Sequence, residues 1–163
     1  MSKSAIDKDL LARTILLGVI AGMRAASAPS LMTERVASHP RRFRHTLFQL
    51  LTSGKFSRLG TLGMLGEMVA DKLPILPDRI APLPLLGRAF WGAFSGAAAF
   101  TEGKHSPVTG AVTAGLVAIV SAHITYRVRV HGAKILHLPD QFLALLEDAF
   151  VLTLRRAVQR TYE

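Results

Sequence analysis

Long apolar stretches separated by short charged segments run along most of the chain. The clearest stretch covers 106–126, which contains no Asp, Glu, Lys or Arg. It exceeds the about 18 apolar residues that indicate a membrane-spanning helix. The same pattern, with a few charges admitted, predicts further spanning segments at 14–33, 59–76, 85–101 and 141–158. We therefore predict an all-α fold: a polytopic membrane helix bundle of five to six segments, some of them re-entrant.

Composition agrees with a location in the bilayer. Half of the 163 residues are hydrophobic and only 19% are charged, against about 25% in soluble domains. The net charge of +9 suits either nucleic-acid binding or loops that meet anionic headgroups. The charges are spread over every connection and the apolar runs are long, so we expect a membrane and no nucleic acid. The length indicates a single membrane domain, 1–163, and the lack of cysteine excludes disulfides.

The first apolar segment has an alternative interpretation as a secretory signal peptide. A basic start, the apolar run 15–20 and Ala26-Ser27-Ala28 resemble the three parts of such a peptide. Two aspartates precede the apolar run, however, and Arg24 lies beside the supposed cleavage site. We therefore prefer a membrane helix over 14–33 that Pro29 ends or kinks.

Two carboxylates, Glu67 and Asp71, lie four residues apart in the second apolar segment. At this spacing both project from the same face of a helix, about one turn apart. Ionisable groups within membrane segments usually face the protein interior and carry function. We expect these two to converge with Glu147, Asp148 and Arg24 and to handle a cation or protons, with Arg24 as counter-charge or gate. Further counter-charges are predicted at Lys72, Arg79 and Arg88.

The same residues allow two other functions. Glu67 or Asp71 would pair with Arg24 or Arg88 and only fix the helix register, as in a non-catalytic assembly protein. A membrane-embedded enzyme acting on lipids is a weaker alternative, because the sequence has neither a nucleophile constellation nor a phosphate loop. Its six histidines are scattered without metal-ligand spacing. We expect no enzyme activity and no cofactor, and the sequence leaves a metal undecided.

Glycines recur at intervals of three or four residues in the apolar segments. Such pairs let two helix backbones approach closely, and they favour a small packing protein that forms a homo-oligomer. The predicted packing positions are Gly18, Gly22, Gly63, Gly66, Gly92 and Gly96.

The connection 34–58 is the most basic part of the chain and is predicted to be an interfacial loop. We expect anionic headgroups near Arg41, Arg42 and Arg44. Lys and Arg are almost equally shared between the two predicted sides, so the positive-inside rule gives no orientation. The halves 10–84 and 85–160 each contain a glycine-pair helix followed by an acidic helix, which suggests an inverted repeat.

Several short motifs together resemble a known family. They are Gly22-Met23-Arg24, Gly66-Glu67, the run 70–74, Asp78-Arg79, Gly87-Arg88-Ala89 and Leu146-Glu147-Asp148. The sequence resembles, from about 16 to 154, the small bacterial integral membrane proteins catalogued as domain of unknown function four-one-two-six. The resemblance implies a multi-pass protein of the bacterial inner membrane, and it implies no activity.

Overall fold

The computed structural model describes residues 7–39, 43, 80–136 and 139–162. Every regular element in this part of the chain is a helix, which confirms the all-α prediction for these residues. The predicted segment 59–76 and the basic connection from 44 onward lie outside the described residues. The helices are α1 (Lys8–Met23), α2 (Ser27–Ser38), α3 (Pro82–Glu102), α4 (Pro107–Leu136) and α5 (Asp140–Arg160).

The first apolar segment forms two helices instead of one. α1 ends at Met23, Arg24 is extended with φ −137° and ψ 105°, and α2 begins at Ser27. We predicted that Pro29 ends or kinks the helix; the interruption lies slightly earlier, at 24–26. Pro29 lies in the first turn of α2, where a helix tolerates proline because its early amides have no partner within the helix.

α2 folds back along α1, so the two helices form a hairpin with its tip at 24–26. Arg13 of α1 and Arg35 of α2 lie against the same ring, that of Tyr162. Both ends of the hairpin are therefore at one end of the bundle, and Arg24 points toward the other. We call these the Tyr162 end and the Arg24 end.

α4 packs closely against both α1 and α3. A Cβ atom on Gly18 of α1 would lie 2.7 Å from the carbonyl oxygen of Ala114, and one on Gly92 of α3 would lie 2.8 Å from the same oxygen. One turn further, Gly22 and Gly96 also face backbone atoms of α4. Only glycine permits approaches this close, so the backbones of three helices nearly meet around Ala114.

α5 lies across the α1–α2 hairpin and runs antiparallel to α1. Its buried Val151 and Val158 pack in the same core as Leu17, Ile20 and Met32. The core thus lies around the α1–α2 hairpin, which packs against α3 and against α5. Polar and charged side chains are also buried there, which is unusual for a soluble protein.

The outward face of α4 is apolar. A large side chain stands at every fourth position, and each is more than half exposed: Val108, Val112, Leu116, Val120, Ile124 and Val128. This stripe is about 30 Å long at 1.5 Å per residue. Among the described helices, α4 is the one that is long and apolar enough to cross a membrane by length and composition, over Pro107–Ile135.

Candidate functional site: a buried ionic interface between α2 and α5

Arg24, at the tip of the hairpin, is completely buried. It forms an ion pair with Asp148, which is also buried, in the middle of α5. A buried guanidinium is stable only with a charge partner or several acceptors. The pair therefore ties the tip of the hairpin to α5.

Arg88 of α3 caps the C-terminal end of α1. Its Nη1 donates hydrogen bonds to the carbonyl oxygens of Gly22 at 2.9 Å and Met23 at 2.8 Å. The carbonyls of a final helical turn have no partner within the helix, and a cation at this end is favoured by the helix dipole. Arg88 thus stabilises the break that separates α1 from α2.

The two adjacent acids of α5 reach different neighbours. Asp148 meets Arg24, whereas a carboxylate oxygen of Glu147 lies 3.8 Å from Nη1 of Arg129 in α4. Consecutive residues on a helix point about 100° apart, since one turn takes 3.6 residues. The acidic pair therefore joins two sides of the bundle at the Arg24 end.

Arg155 lies two turns beyond Asp148 on the same face of α5. Its Nη1 donates to the carbonyl oxygen of Ser27 and, at 2.6 Å, to Oγ of Ser30. Its Nη2 donates to the Glu34 carboxylate at 3.3 and 3.5 Å. One guanidinium thus holds nearly the whole length of α2 against α5.

At the Tyr162 end, the ring of Tyr162 lies between two arginines. The distance from the ring centroid to Cζ is 4.3 Å for Arg35 and 4.9 Å for Arg13. Arg35 also donates from Nε at 3.0 Å and from Nη2 at 2.8 Å to Glu102 of α3. Burial and the nearby Glu102 charge raise the pKa of Tyr162 to about 12, although both arginines act to lower it.

Together these groups form a continuous polar line that we call the ionic interface. It follows positions 148 and 155 of α5, which are seven residues apart and so share one helix face, and it ends at Tyr162, two residues beyond the end of α5. The line is about 21 Å long at 1.5 Å per residue. Its members are Arg24, Asp148, Ser27, Ser30, Glu34, Arg155 and Tyr162.

Some of the predicted site residues lie together. The structure places Arg24 against Asp148, with Glu147 next to this pair and Arg88 at the neighbouring end of α1. The glycines Gly18, Gly22, Gly92 and Gly96 all lie against α4. The other predicted positions lie outside the described residues: Glu67, Asp71, Lys72, Arg79, Gly63, Gly66, Arg41, Arg42 and Arg44.

Sequence reasoning missed the middle of the ionic interface. The sequence predictions assign no role in the site to Arg155, Ser27 or Ser30. The signal was present, because Arg155 follows Asp148 by two turns and must share its face. Glu34 and Arg35 fall in the predicted loop 34–58, and Arg129 lies outside every predicted segment, yet each pairs with a charged group of another helix.

The chemistry of the described residues is that of arginine–carboxylate pairs. No group of three His, Asp or Glu side chains within the described ranges is arranged to hold a metal ion. The arrangement can fix helices, and it can exchange a proton or cation when a carboxylate leaves its arginine.

Comparisons with known proteins found no matching family model, no matching curated protein and no matching solved structure. The resemblance to the membrane family therefore stays a prediction. The function has to be argued from the contacts of this chain.

Proposed function

We propose that the chain is a multi-pass protein of the bacterial inner membrane that handles a cation or protons along its ionic interface, as a small transporter or channel-like protein. One observation carries this proposal: a line of charged and hydroxyl groups is buried except at Glu34 and Tyr162, which are partly exposed, while the outer faces of α3, α4 and α5 expose large apolar side chains. Soluble proteins have the opposite distribution. Ionisable groups of membrane proteins face the bundle interior and mark ion pathways or proton relays.

The dimensions support placement in a bilayer. The apolar stripe of α4 is about 30 Å long, equal to the thickness of a typical hydrocarbon core. α3 and α5 have 21 residues each, a length of about 31 Å. They carry more polar residues than α4, which is acceptable where those residues face the interior.

The α1–α2 hairpin suits a re-entrant element in such a bundle. α1 has 16 residues and α2 has 12, so α2 returns over only about 18 Å. A break in a membrane helix is tolerated where it is buried in protein and its backbone groups find partners. Arg88 supplies such partners at the end of α1.

In the proposed mechanism the ion or proton binds to Asp148. The carboxylate leaves Arg24 when it takes up the proton or cation, and the freed Arg24 is the counter-charge that drives release. Glu147 accepts or delivers the ion at the Arg24 end, beside Arg129. Arg155 stays fixed by Ser30 and Glu34 and forms a positive barrier in the middle of the line.

The proposal is tested with the full chain reconstituted in liposomes that contain a pH-sensitive dye, under imposed proton, sodium and potassium gradients. We expect a flux of at least one of these ions that Asp148→Asn abolishes. The matched control is Asp9→Asn, which neutralises an exposed acid and should leave the flux unchanged. Absence of flux in the unaltered protein, or equal flux in Asp148→Asn, would contradict ion handling.

A second candidate function is supported by the contacts of Arg24 and Arg88. Both arginines hold the helix break in place, Arg24 through Asp148 and Arg88 through two carbonyls. This is what a non-catalytic membrane assembly protein requires. For that function, the double variant Arg24→Gln/Asp148→Asn should regain part of the stability that either single change loses, and no ion flux should be measurable in any variant.

A further inference from the structure

An open cleft of about 660 Å³ lies between α4 and α5, with residues of α1 lining it as well. Its volume is in the range of small-molecule sites, about 300–1,000 Å³. The walls are apolar and include Val120 and Ile124 of α4, Leu146 and Phe150 of α5, and Val19 of α1. Four of these five side chains are more than half exposed, so the cleft is open. Because its lining is apolar, an apolar ligand would bind there favourably.

One end of the cleft is polar. Arg129 is the last residue of α4 that lines it, and Glu147 faces Arg129 at 3.8 Å from α5. Arg127 and Lys134, which are both exposed, lie on the final turns of α4 near this end. Arg127, Arg129 and Lys134 give this end three positive charges, and Glu147 gives it one negative charge. The excess positive charge favours binding of an anionic group at the polar end of the cleft.

The cleft is slightly longer than one leaflet of the hydrocarbon core is thick. It follows α4 from Leu116 to Arg129, a distance of about 20 Å at 1.5 Å per residue. Half of a hydrocarbon core is about 15 Å. An occupant with a charged group at Arg129 would thus have its apolar part within a single leaflet.

We propose that the cleft binds an anionic phospholipid, with one acyl chain between α4 and α5 and its phosphate at Arg129, supported by Arg127 and Lys134. Guanidinium groups bind phosphate through paired, charge-assisted hydrogen bonds. Basic sites between membrane helices recognise anionic headgroups in the same way. This inference rests on the membrane placement in the proposed function, and it does not depend on ion handling.

The test measures lipid retained by the full chain, purified in detergent, using native mass spectrometry. Phosphatidylglycerol and phosphatidylcholine with identical acyl chains are offered at equal concentration. We expect phosphatidylglycerol to be retained in preference. Filling the cleft with Val120→Trp should weaken its binding at least about tenfold, a loss of about 1.4 kcal/mol.

The matched control is Val112→Trp. Val112 is on the same stripe of α4 and is 55% exposed, against 57% for Val120, but it does not line the cleft. This variant should bind phosphatidylglycerol as the unaltered chain does. Arg129→Gln should remove the preference for the anionic lipid, and Arg127→Gln should reduce it without disturbing the pair with Glu147. Circular dichroism of each variant checks that it has folded.

Three results would overturn the inference. One is equal retention of the two lipids by the folded, unaltered chain. Another is an equal effect of tryptophan at positions 112 and 120. A doubled mass that Val120→Trp alone abolishes would identify a second copy of the chain as the occupant, and it also overturns the inference. Selective lipid binding without ion flux would contradict only the ion-handling proposal, because the two assays are independent.

Discussion

The interface between α3 and α4 differs in chemistry from the interface between α2 and α5. Between α3 and α4 the contacts are made by glycine, alanine and backbone carbonyls, with Gly96 against the carbonyl of Gly110 and Gly92 against that of Ala114. Between α2 and α5 they are made by arginine, carboxylate and serine. Both interfaces lie in one bundle, and each holds two helices together.

In the proposed membrane location, the contrast reflects two ways of joining helices in an apolar environment. Lipid is as apolar as a leucine side chain, so burying leucine gives little drive for association, and helices depend on close packing or interhelical hydrogen bonds. Helices whose backbones are in close contact fit together in one arrangement, so such an interface is rigid. Ion pairs can exchange partners, so under the proposed function the α1–α3–α4 unit is the rigid frame and the ionic interface is the part that changes.

The largest effect is expected for a bulky side chain in the rigid interface. In Gly96→Leu the new Cβ would lie 2.6 Å from Cβ of Ala114 and would overlap the backbone at Gly110. We expect loss of the fold or a destabilisation of at least about 3 kcal/mol, since backbone on both sides cannot move aside. Thermal unfolding in detergent, followed by circular dichroism, measures it.

Gly87→Leu is the control for this change on the same helix. A Cβ on Gly87 meets nothing within 4 Å, and leucine has a helix propensity higher than glycine by roughly 0.5–1 kcal/mol. The melting temperature should therefore stay constant or rise. If the two substitutions lower it equally, α3 and α4 do not pack through Gly96.

A smaller effect is expected in the ionic interface. Arg155→Lys keeps the charge and loses the planar fork that reaches Ser30 and Glu34 together. We expect a destabilisation of about 1–3 kcal/mol, the range for hydrogen bonds to charged groups. The neighbouring Arg156 is exposed, so Arg156→Lys should change the stability by less than about 0.5 kcal/mol. Equal melting temperatures for the two variants would show that α2 does not depend on Arg155.

The smallest effect is expected at the Tyr162 end, where the pKa of Tyr162 is measured by titration. The chain has two tyrosines, so Tyr126→Phe leaves Tyr162 as the remaining phenol. Its absorbance should change with a pKa of about 12, and Glu102→Gln should lower that pKa by removing a negative charge. An unfolded tyrosine titrates near about 10.

The sign of the accompanying pH dependence follows from the direction of this shift. The folded state holds the phenol proton more tightly than the unfolded state does. The stabilisation from Tyr162 is therefore complete below about pH 10 and is lost as the pH rises through about 12. Titration of Tyr162 near pH 10 in the folded protein would contradict the buried position of the ring between Arg13 and Arg35.

Parts of the fold could be predicted from the sequence because apolar runs determine them. The uncharged stretch 106–126 predicted α4, which continues to Leu136, and the segment predicted from 141 begins within one residue of α5 at Asp140. The position of the break at Arg24 could not be predicted, because 24–26 itself contains neither glycine nor proline. Contacts from Arg88 and Asp148, distant in sequence, hold that break in place.

The candidate site was predictable only in part, for a similar reason. Arg24 and Asp148 stand out because charges are rare within the apolar segments. Arg155 does not, because it lies in a helix end with several arginines, where a role in solvent explains it equally well. Only the position of α2 distinguishes Arg155 from Arg156, and that position depends on the unforeseen break.

The partners of the α1–α2 hairpin have a consequence for synthesis. Arg155 follows Ser27 by 128 residues, and Tyr162 follows Met32 by 130. At about 5–20 residues per second, the ribosome needs on the order of ten seconds to supply them after the hairpin has been made. During that interval the Arg24 side chain has no Asp148 to meet. In the proposed membrane location, the nascent hairpin therefore needs a wet or shielded place until α5 has been made.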